Sequence, residues 1–371
     1  MPTYLTAADL GAALSLRDLS DPADGPHALQ LLLDAVTAAL TQRWRIPVTT
    51  VRSSPLVAVE DNYDRLGFGT SAVTRDQRYS RYLSDTVMLR THTSAMVPPL
   101  LRSLVDGHGE HERLYVMPGL VYRRDSIDRT HVGEPHQVDL WRLSNIADPG
   151  MPGLEEMLET VVAAVLPGAR WRAVPAEHPY TTHGRQLDVE IGGDWLELAE
   201  CGLIQPELLE RSGLDPSVWS GLALGMGLDR AVMLRKGIDD IRLLRASDTR
   251  VGDQMSDLKP WRPVSALPAV RRDISVVLDR DDDEETLGDR IRSALGADAV
   301  AIESVRLRAT TERELLPESA QRRLGIRPGQ VNALIRIVLR PLDRTLTDDE
   351  ANRLRNTAYR AVHQGPNQEL I

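Results

Sequence analysis

The stretch Gly221–Leu244 reads "GLALGMGLDRAVMLRKGIDDIRLL". Glycines at 221, 225 and 227 alternate with small and apolar residues, and a helix-like run follows with Arg230 near its start. A bare strand of this kind has two uses. It can pack closely against a neighbouring strand, in which case the arginine is a solvated helix residue. Or it can leave its backbone open, so that a planar base lies on the glycines and Arg230 meets a phosphate. The neighbouring sequence bears on which use applies.

Immediately upstream, "QLDVEIGGDWLELAECGLI" (186–204) alternates apolar and polar residues on either side of Gly192-Gly193, the pattern of a hairpin. "RLYVMPGLVYR" (113–123) and "HQVDLWRLS" (136–144) are further strand-like runs. "ALQLLLDAVTAALTQRW" (28–44) and "LEEMLETVVAAVL" (154–166) have the apolar spacing of helices, the second stopped by Pro167-Gly168. These runs predict an antiparallel sheet flanked by helices. A break near Lys259-Pro260 separates a second region. There "DISVVLD", "EETLGDRIRSAL", "AIESVRLRAT", "VNALIRIVLR" and "TDDEANRLRNTAYRAV" give the order β-α-β-β-α, which predicts a ferredoxin-like sandwich. The expected fold class is therefore α+β, with a helical segment over 1–55, a sheet domain over 56–255 and a ferredoxin-like domain over 262–371.

Bulk properties narrow the class. The 371 residues are 42% hydrophobic and 26% charged, ordinary for a globular protein. No run approaches the ~18 apolar residues of a membrane span, and the N-terminal residues lack a basic stretch before an apolar one, so neither a membrane partner nor a secretory signal is expected. The single cysteine, Cys201, excludes an internal disulfide and a cysteine-based zinc site, and fits a cytoplasmic location. The net charge of −10 is unsuited to nonspecific nucleic-acid binding. The excess acid lies in the first 260 residues; residues 261–371 balance 18 arginines against 18 acids. Lys236 and Lys259 are the only lysines.

Four segments carry candidate chemistry. "MLRTHTSAM" (88–96) holds His92 and Ser94; "VYRRDSIDRTHVGEPHQVDLWRL" (121–143) holds Arg123, Asp125, His131, His136, Gln137 and Asp139; "WLELAECG" (195–202) holds Glu197, Glu200 and Cys201; the opening stretch holds Gly225, Gly227 and Arg230. Arg123 can clamp an oxyanion, Arg230 a second phosphate, and Glu197 can bind Mg²⁺, which favours carboxylates together with phosphate oxygens. Two arginines and a metal suit adenylate formation, where charge develops on phosphate. Taken singly, each residue also has an ordinary structural reading. Their order along the chain is the stronger signal.

That order resembles the class II aminoacyl-tRNA synthetases, and within them phenylalanyl-tRNA synthetase of the single-chain organellar type. "RTHTS" resembles the family's His-Thr-Ser segment, "VYRRDSIDRTH" its motif 2 and loop, "PHQVDLWRL" its His-Gln-x-Glu strand and "SGLALGMGLDRAVMLRKGIDDIRLL" its motif 3. "SALPAVRRDISVVLD" with "DRTLTDDEANRL" resembles its anticodon-binding domain. The resemblance implies a class II antiparallel sheet core, activation of an amino acid with ATP and Mg²⁺, and transfer to tRNA. It implies that Arg123 holds the α-phosphate and the reacting carboxylate, Arg230 the γ-phosphate and Glu197 the metal side. Asp125 and His131 would border ATP, and Gly225 and Gly227 would floor the adenine. His92, Ser94, Gln137 and Asp139 would orient the amino acid, and Arg271 and Arg272 would contact tRNA.

The sequence departs from the family on the amino-acid side. His178-Pro179-Tyr180 stands where the family has Phe-Pro-Phe, and Leu222 and Leu224 where phenylalanines are usual. Cys201 matches the small residue that sets pocket depth, Glu200 replaces a glycine, and Asp139 replaces a glutamate. The single phenylalanine of the chain is Phe68, and the end "QGPNQELI" lacks the family's basic residue. His178, Tyr180 and Cys201 are thus expected to line an altered amino-acid pocket. A paralogous ligase with a different amino acid that delivers its adenylate to a carrier protein or small amine is the alternative function, and a catalytically silent nucleic-acid-binding or regulatory protein the third.

Overall fold

The computed structural model describes residues 4–70, 72, 75–76, 79–107, 109–264 and 267–366. Ser265 and Ala266 of the segment before the second region, and Asn367–Ile371 of the chain end, lie outside the described residues. The chain forms two compact units. The first comprises Met1–Arg123, Glu134–Ile238 and Asp253–Trp261; the second comprises Arg124–Gly133, Asp239–Gly252 and Arg262–Ile371.

In chain order the first unit contains α1 (Ala7–Leu14), α2 (Ala28–Trp44), β1 (Val48–Thr50), β2 (Leu56–Ala58), β3 (Val87–Leu89), α3 (Val97–Ser103), β4 (Glu112–Leu120), β5 (His136–Ser144) and α4 (Gly150–Val165). It continues with β6 (Trp171–Pro175), β7 (Thr181–Ile191), β8 (Asp194–Ile204), α5 (Pro206–Arg211), β9 (Ser220–Gly227) and α6 (Leu228–Lys236). Seven strands form one sheet in the order β1-β4-β5-β9-β8-β7-β6. All neighbours are antiparallel except β1 and β4. The β7–β8 turn falls on Gly192 and Gly193, whose φ of 63° and 96° is the left-handed geometry a tight hairpin needs.

One face of the sheet is backed by helices. α2 turns Leu29, Leu32, Leu33, Val36 and Leu40 inward, all buried, each contributing about 1.5–3 kcal/mol of apolar burial. α4 approaches β9 at Gly153, where a Cβ would lie 3.6 Å from Leu222. Leu222, Leu224 and Met226 of β9, and Val138 and Leu140 of β5, are buried on this face. Residues 1–55 are part of the first unit: β1 pairs with β4, and α1 packs Ala13 against Leu89, Leu120 and Tyr122.

The second unit contains α7 (Thr249–Gly252), β10 (Val270–Asp279), α8 (Glu284–Leu295), β11 (Ile302–Glu312), α9 (Glu318–Leu324), β12 (Gln330–Leu339) and α10 (Asp348–Val362). Its antiparallel sheet has the order β10-β12-β11. With α8 and α10 as the connections, this is the split β-α-β topology of a ferredoxin-like unit. After α10 the chain turns onto β10, where Gln364 N donates to Val277 O at 2.9 Å. The Thr347–Glu350 capping box and three acids in the first turn start α10, as the helix dipole favours. The core joins Ile274, Val276, Ile335 and Ile337 to Leu287, Ile291, Leu354 and Tyr359.

Candidate active site

The other face of the large sheet carries the candidate chemistry, and the strand register arranges it in rows. Trp141 lies beside Ala223, and Ala223 beside Gly202. The next row runs Asp139, Gly225, Glu200, Gln186 across β5, β9, β8 and β7. The row after that holds Gln137 beside Gly227, and Glu197 beside Asp188. Successive rows are about 6.6–6.8 Å apart and neighbouring strands about 4.8 Å.

The glycines of β9 fall into two kinds. A Cβ on Gly221 would overlap Arg142 O of the neighbouring strand, so Gly221 is a packing glycine. A Cβ on Gly225 would meet nothing within 4 Å, and one on Gly227 only Arg230 Cβ at 4.0 Å. Both uses of a bare strand occur in this one strand. Its end is an open backbone floor that a flat ligand can cover.

At the end of that floor α6 begins, with Arg230 exposed in its first turn and in no ion pair among the described residues. Asp229 beside it is buried instead, and it fixes the start of β5 by accepting from His136 N at 2.5 Å. Glu197 faces the same region with no hydrogen bond or ion pair among the described residues. Burial and the nearby Glu200 raise its pKa, while Arg230 opposes the rise. Arg123 donates through Nε to Thr91 O at 2.7 Å, which orients its guanidinium.

Asp139 is buried and committed to this chain. It accepts from Thr93 Oγ1 at 2.6 Å, Ser94 Oγ at 3.0 Å and Trp141 Nε1 at 3.0 Å. Its burial raises its pKa above the ordinary carboxylate value. His92 stacks on Phe68 with ring centroids 5.5 Å apart, and both its ring nitrogens are shielded and without a hydrogen-bond partner among the described residues. Burial, and secondarily the charge of Arg123, lowers its pKa to about 3, so the ring is neutral. Tyr180 lies against Trp141 at 6.1 Å and Phe68 at 6.2 Å, and burial pushes its hydroxyl pKa upward. His178 Nε2 pairs with Glu200 Oε2 at 3.0 Å, and that bond holds the Glu200 carboxyl below its ordinary pKa.

One sequence expectation is corrected here. Cys201 does not share the site face: it is in register with Leu224, which pairs with Leu140 on the helix-backed side. Its Sγ donates to Arg185 O at 3.5 Å, and burial pushes the thiol up to about 12. The cause is a bulge. Leu187 pairs with Ala199 but Asp188 with Glu197, leaving Leu198 unpaired. The extra residue puts Glu197 on the face of Glu200 rather than of Cys201. Glu200, a candidate of the same segment that replaces a glycine of the family, takes the site position beside Gly225.

Asp125 and His131 belong to the second unit and are engaged within it. Asp125 Oδ1 accepts from Ser126 N at 2.8 Å, and His131 Nδ1 lies 2.9 Å from Asp128. Asp128 also accepts from Arg306 at 2.9 Å. Burial would raise the Asp128 carboxyl, but its bonds to His131 and Thr130 hold it well below the usual range. Arg272 is not a free cation: it donates to Asp348 at 2.8 Å and Asn352 at 3.2 Å on α10. Arg271, on the opposite face of β10, has no ion pair among the described residues.

The residues fit a divalent cation in a limited way. No cluster of three or more metal-ligating side chains occurs among the described residues. Mg²⁺ needs only one or two carboxylates beside substrate phosphates, and Glu197 offers one.

The model of the class II core domain (F) of tRNA synthetases matches residues 27–255. The chain belongs to the class II tRNA synthetase core family. The matched residues include β4, β5, β8, β9 and the start of α6, so the open glycine floor lies within the family's core domain. A phenylalanine–tRNA ligase alpha subunit from Prochlorococcus marinus (strain MIT 9313) is 37% identical over 199 residues, 52% of this chain. The chain spans 56% of that subunit's length. The chloroplastic/mitochondrial phenylalanine–tRNA ligase of Arabidopsis thaliana is 29% identical over 331 residues, 85% of this chain and 71% of that protein. The crystal structure of pyrrolysyl-tRNA synthetase from Desulfitobacterium hafniense covers 60% of this chain and 74% of its own at a TM-score of 0.47 and 20% identity. No helix among the described residues is long and apolar enough to cross a membrane.

Proposed function

We propose that this chain activates an amino acid with ATP as the aminoacyl-adenylate and passes the acyl group to the 3′ end of a tRNA. The observation that carries the reading is the open floor of Gly225 and Gly227 ending at Arg230, which has no ion pair among the described residues. The names of the phenylalanine–tRNA ligase relatives supply the reaction type.

In this reading the adenine lies over the two glycines and Arg230 holds the γ-phosphate. Arg123, oriented by Thr91 O, holds the α-phosphate and the reacting carboxylate. A carboxylate oxygen of the amino acid attacks the α-phosphorus, the bond to the β-phosphate breaks, and pyrophosphate leaves. Mg²⁺, held by Glu197 and phosphate oxygens, would supply charge neutralisation at the leaving group. Asp139 positions Thr93, Ser94 and Trp141 beneath the amino acid, and neutral His92 stacks on Phe68 beside them. Catalysis then rests on orientation and electrostatics, with no side-chain nucleophile.

A second reading, the same adenylate delivered to a carrier protein or small amine, is motivated by the altered amino-acid side, where His178 and Tyr180 replace the family's phenylalanines. Amino-acid-dependent ATP–pyrophosphate exchange tests the shared step. Wild-type protein should exchange. Arg230→Ala should lose at least ~100-fold, the scale of one removed charge-stabilising donor, with an unchanged melting temperature. Exchange at the wild-type rate in that variant rejects the site. Charging of total tRNA then separates the two acceptors.

A further inference from the structure

Resting on the adenylation reading, we infer that the amino acid taken here carries a hydrogen-bond donor on its side chain, and that Glu200 reads it. Three observations converge. The apolar end of the site is lined by the chain's own rings, which touch one another. Tyr180 lies on Trp141, Phe68 lies on Tyr180, and His92 stacks on Phe68, at centroid distances of 5.5–6.2 Å. These are distances of rings in direct contact, so no phenyl ring fits between neighbouring members of the cluster.

The row of rings Trp141–Tyr180–His178 has an acid at each end. Trp141 Nε1 holds Asp139, and His178 Nε2 holds Glu200. Asp139 and Glu200 lie on one sheet face with only Gly225 between them, their Cα atoms about 10 Å apart by strand spacing. An amino acid held at the Asp139 end, beside the adenine floor, therefore directs its side chain along Tyr180 toward Glu200.

Glu200 itself is half satisfied. Oε2 accepts from His178, and Oε1 has no partner among the described residues. The carboxylate stays ionised, because His178 and Arg123 favour its charged form. An apolar side chain placed against it would strip water from a charge and return no bond. A hydroxyl, amine, amide or cationic side chain would supply the missing donor. Sites built around a hydrogen bond discriminate strongly against analogues that cannot make it.

The test is calorimetric binding of phenylalanine, leucine, tyrosine, serine, threonine, glutamine, lysine and hydroxylated and aminated phenylalanine analogues to the full chain, run beside pyrophosphate exchange. The same panel is applied to Glu200→Gln, which preserves shape, and Glu200→Gly. At least one donor-bearing amino acid should bind tenfold or more tighter than phenylalanine and leucine, about 1.4 kcal/mol. Both variants should erase that preference while leaving phenylalanine binding unchanged or better. Preference of the wild type for phenylalanine or leucine overturns the inference and leaves the adenylation reading standing. Equal weakening of every amino acid in both variants also overturns it, assigning Glu200 to the α-ammonium. Selective binding without exchange keeps the inference and removes the adenylation reading. Binding of no panel member overturns both.

Discussion

The ring nitrogens of His92 are shielded from solvent, and burial has a large consequence for its protonation. Its pKa is near 6.5 in an unfolded chain and about 3 in the fold. Between those values the unfolded chain binds a proton that the folded chain does not, so stability falls as pH falls through that window. Asp139 works in the opposite direction, since its raised pKa favours the fold at lower pH. Replacing His92 with phenylalanine keeps the ring stacked on Phe68 and removes the titration. Denaturant unfolding from pH 6.5 to 4 should show His92→Phe gaining on the wild type by up to ~1.4 kcal/mol per pH unit. A constant difference across the range would mean that His92 reaches solvent or a partner. Sequence alone marked His92, Ser94 and Asp139 as neighbours in chemistry. It did not show that Asp139 is consumed by Thr93, Ser94 and Trp141, because side-chain pairing of residues some 45 positions apart has no local signature.

The strand β9 and the bulge in β8 mark what is and is not legible at the level of elements. The glycine spacing in β9 was visible, and so were both helices, the hairpin at Gly192-Gly193 and every strand of the second unit's sheet. These follow from apolar periodicity and turn chemistry, which are local. The face on which each β8 residue sits was not visible. Regular alternation puts Glu197, Ala199 and Cys201 together, and one unpaired residue, Leu198, breaks that rule. The two kinds of glycine were likewise indistinguishable without the neighbouring strand. They give opposite predictions. Gly225→Val adds a side chain to open space, so its melting temperature should stay within ~2 °C of the wild type while the KM for ATP rises at least ~10-fold. Gly221→Ala forces a methyl onto Arg142 O and should cost about 1–3 kcal/mol of stability with little change in the KM of the folded fraction. Thermal unfolding and ATP-dependent exchange on the two variants check both. Loss of stability in Gly225→Val would mean that the floor is a packed surface.

The two units are not consecutive stretches of chain. A division of the sequence at residue 262 misses that Arg124–Gly133 leaves the first unit directly after Arg123 and is built into the second. Ile127 is buried in the second unit's core with Leu287, Ile291 and Val305, and its carbonyl accepts from Val305 N at 2.8 Å. Arg292 donates to the carbonyls of Asp125 and Ser126, and Arg129 pairs with Asp239 at 3.1 Å. The segment contributes one apolar anchor and otherwise holds by polar contacts, which is why no hydrophobic period announced it. Its order therefore depends on residues far along the chain. Trypsin supplies the measurement, since Arg124 and Arg129 are cleavage sites inside the segment. In the full chain both bonds should resist limited proteolysis. In Arg292→Ala two backbone carbonyls lose their donor, a loss of about 1–3 kcal/mol for each buried group left unpaired. Cleavage after Arg124 and Arg129 should then accelerate by about tenfold or more, since proteolysis tracks the population of the open form. A chain ended after Trp261 should be cut there faster still. Equal rates in all three proteins would show that the segment is held by its own local contacts, Thr130 and His131 on Asp128 foremost, and that its inclusion in the second unit contributes nothing to its order.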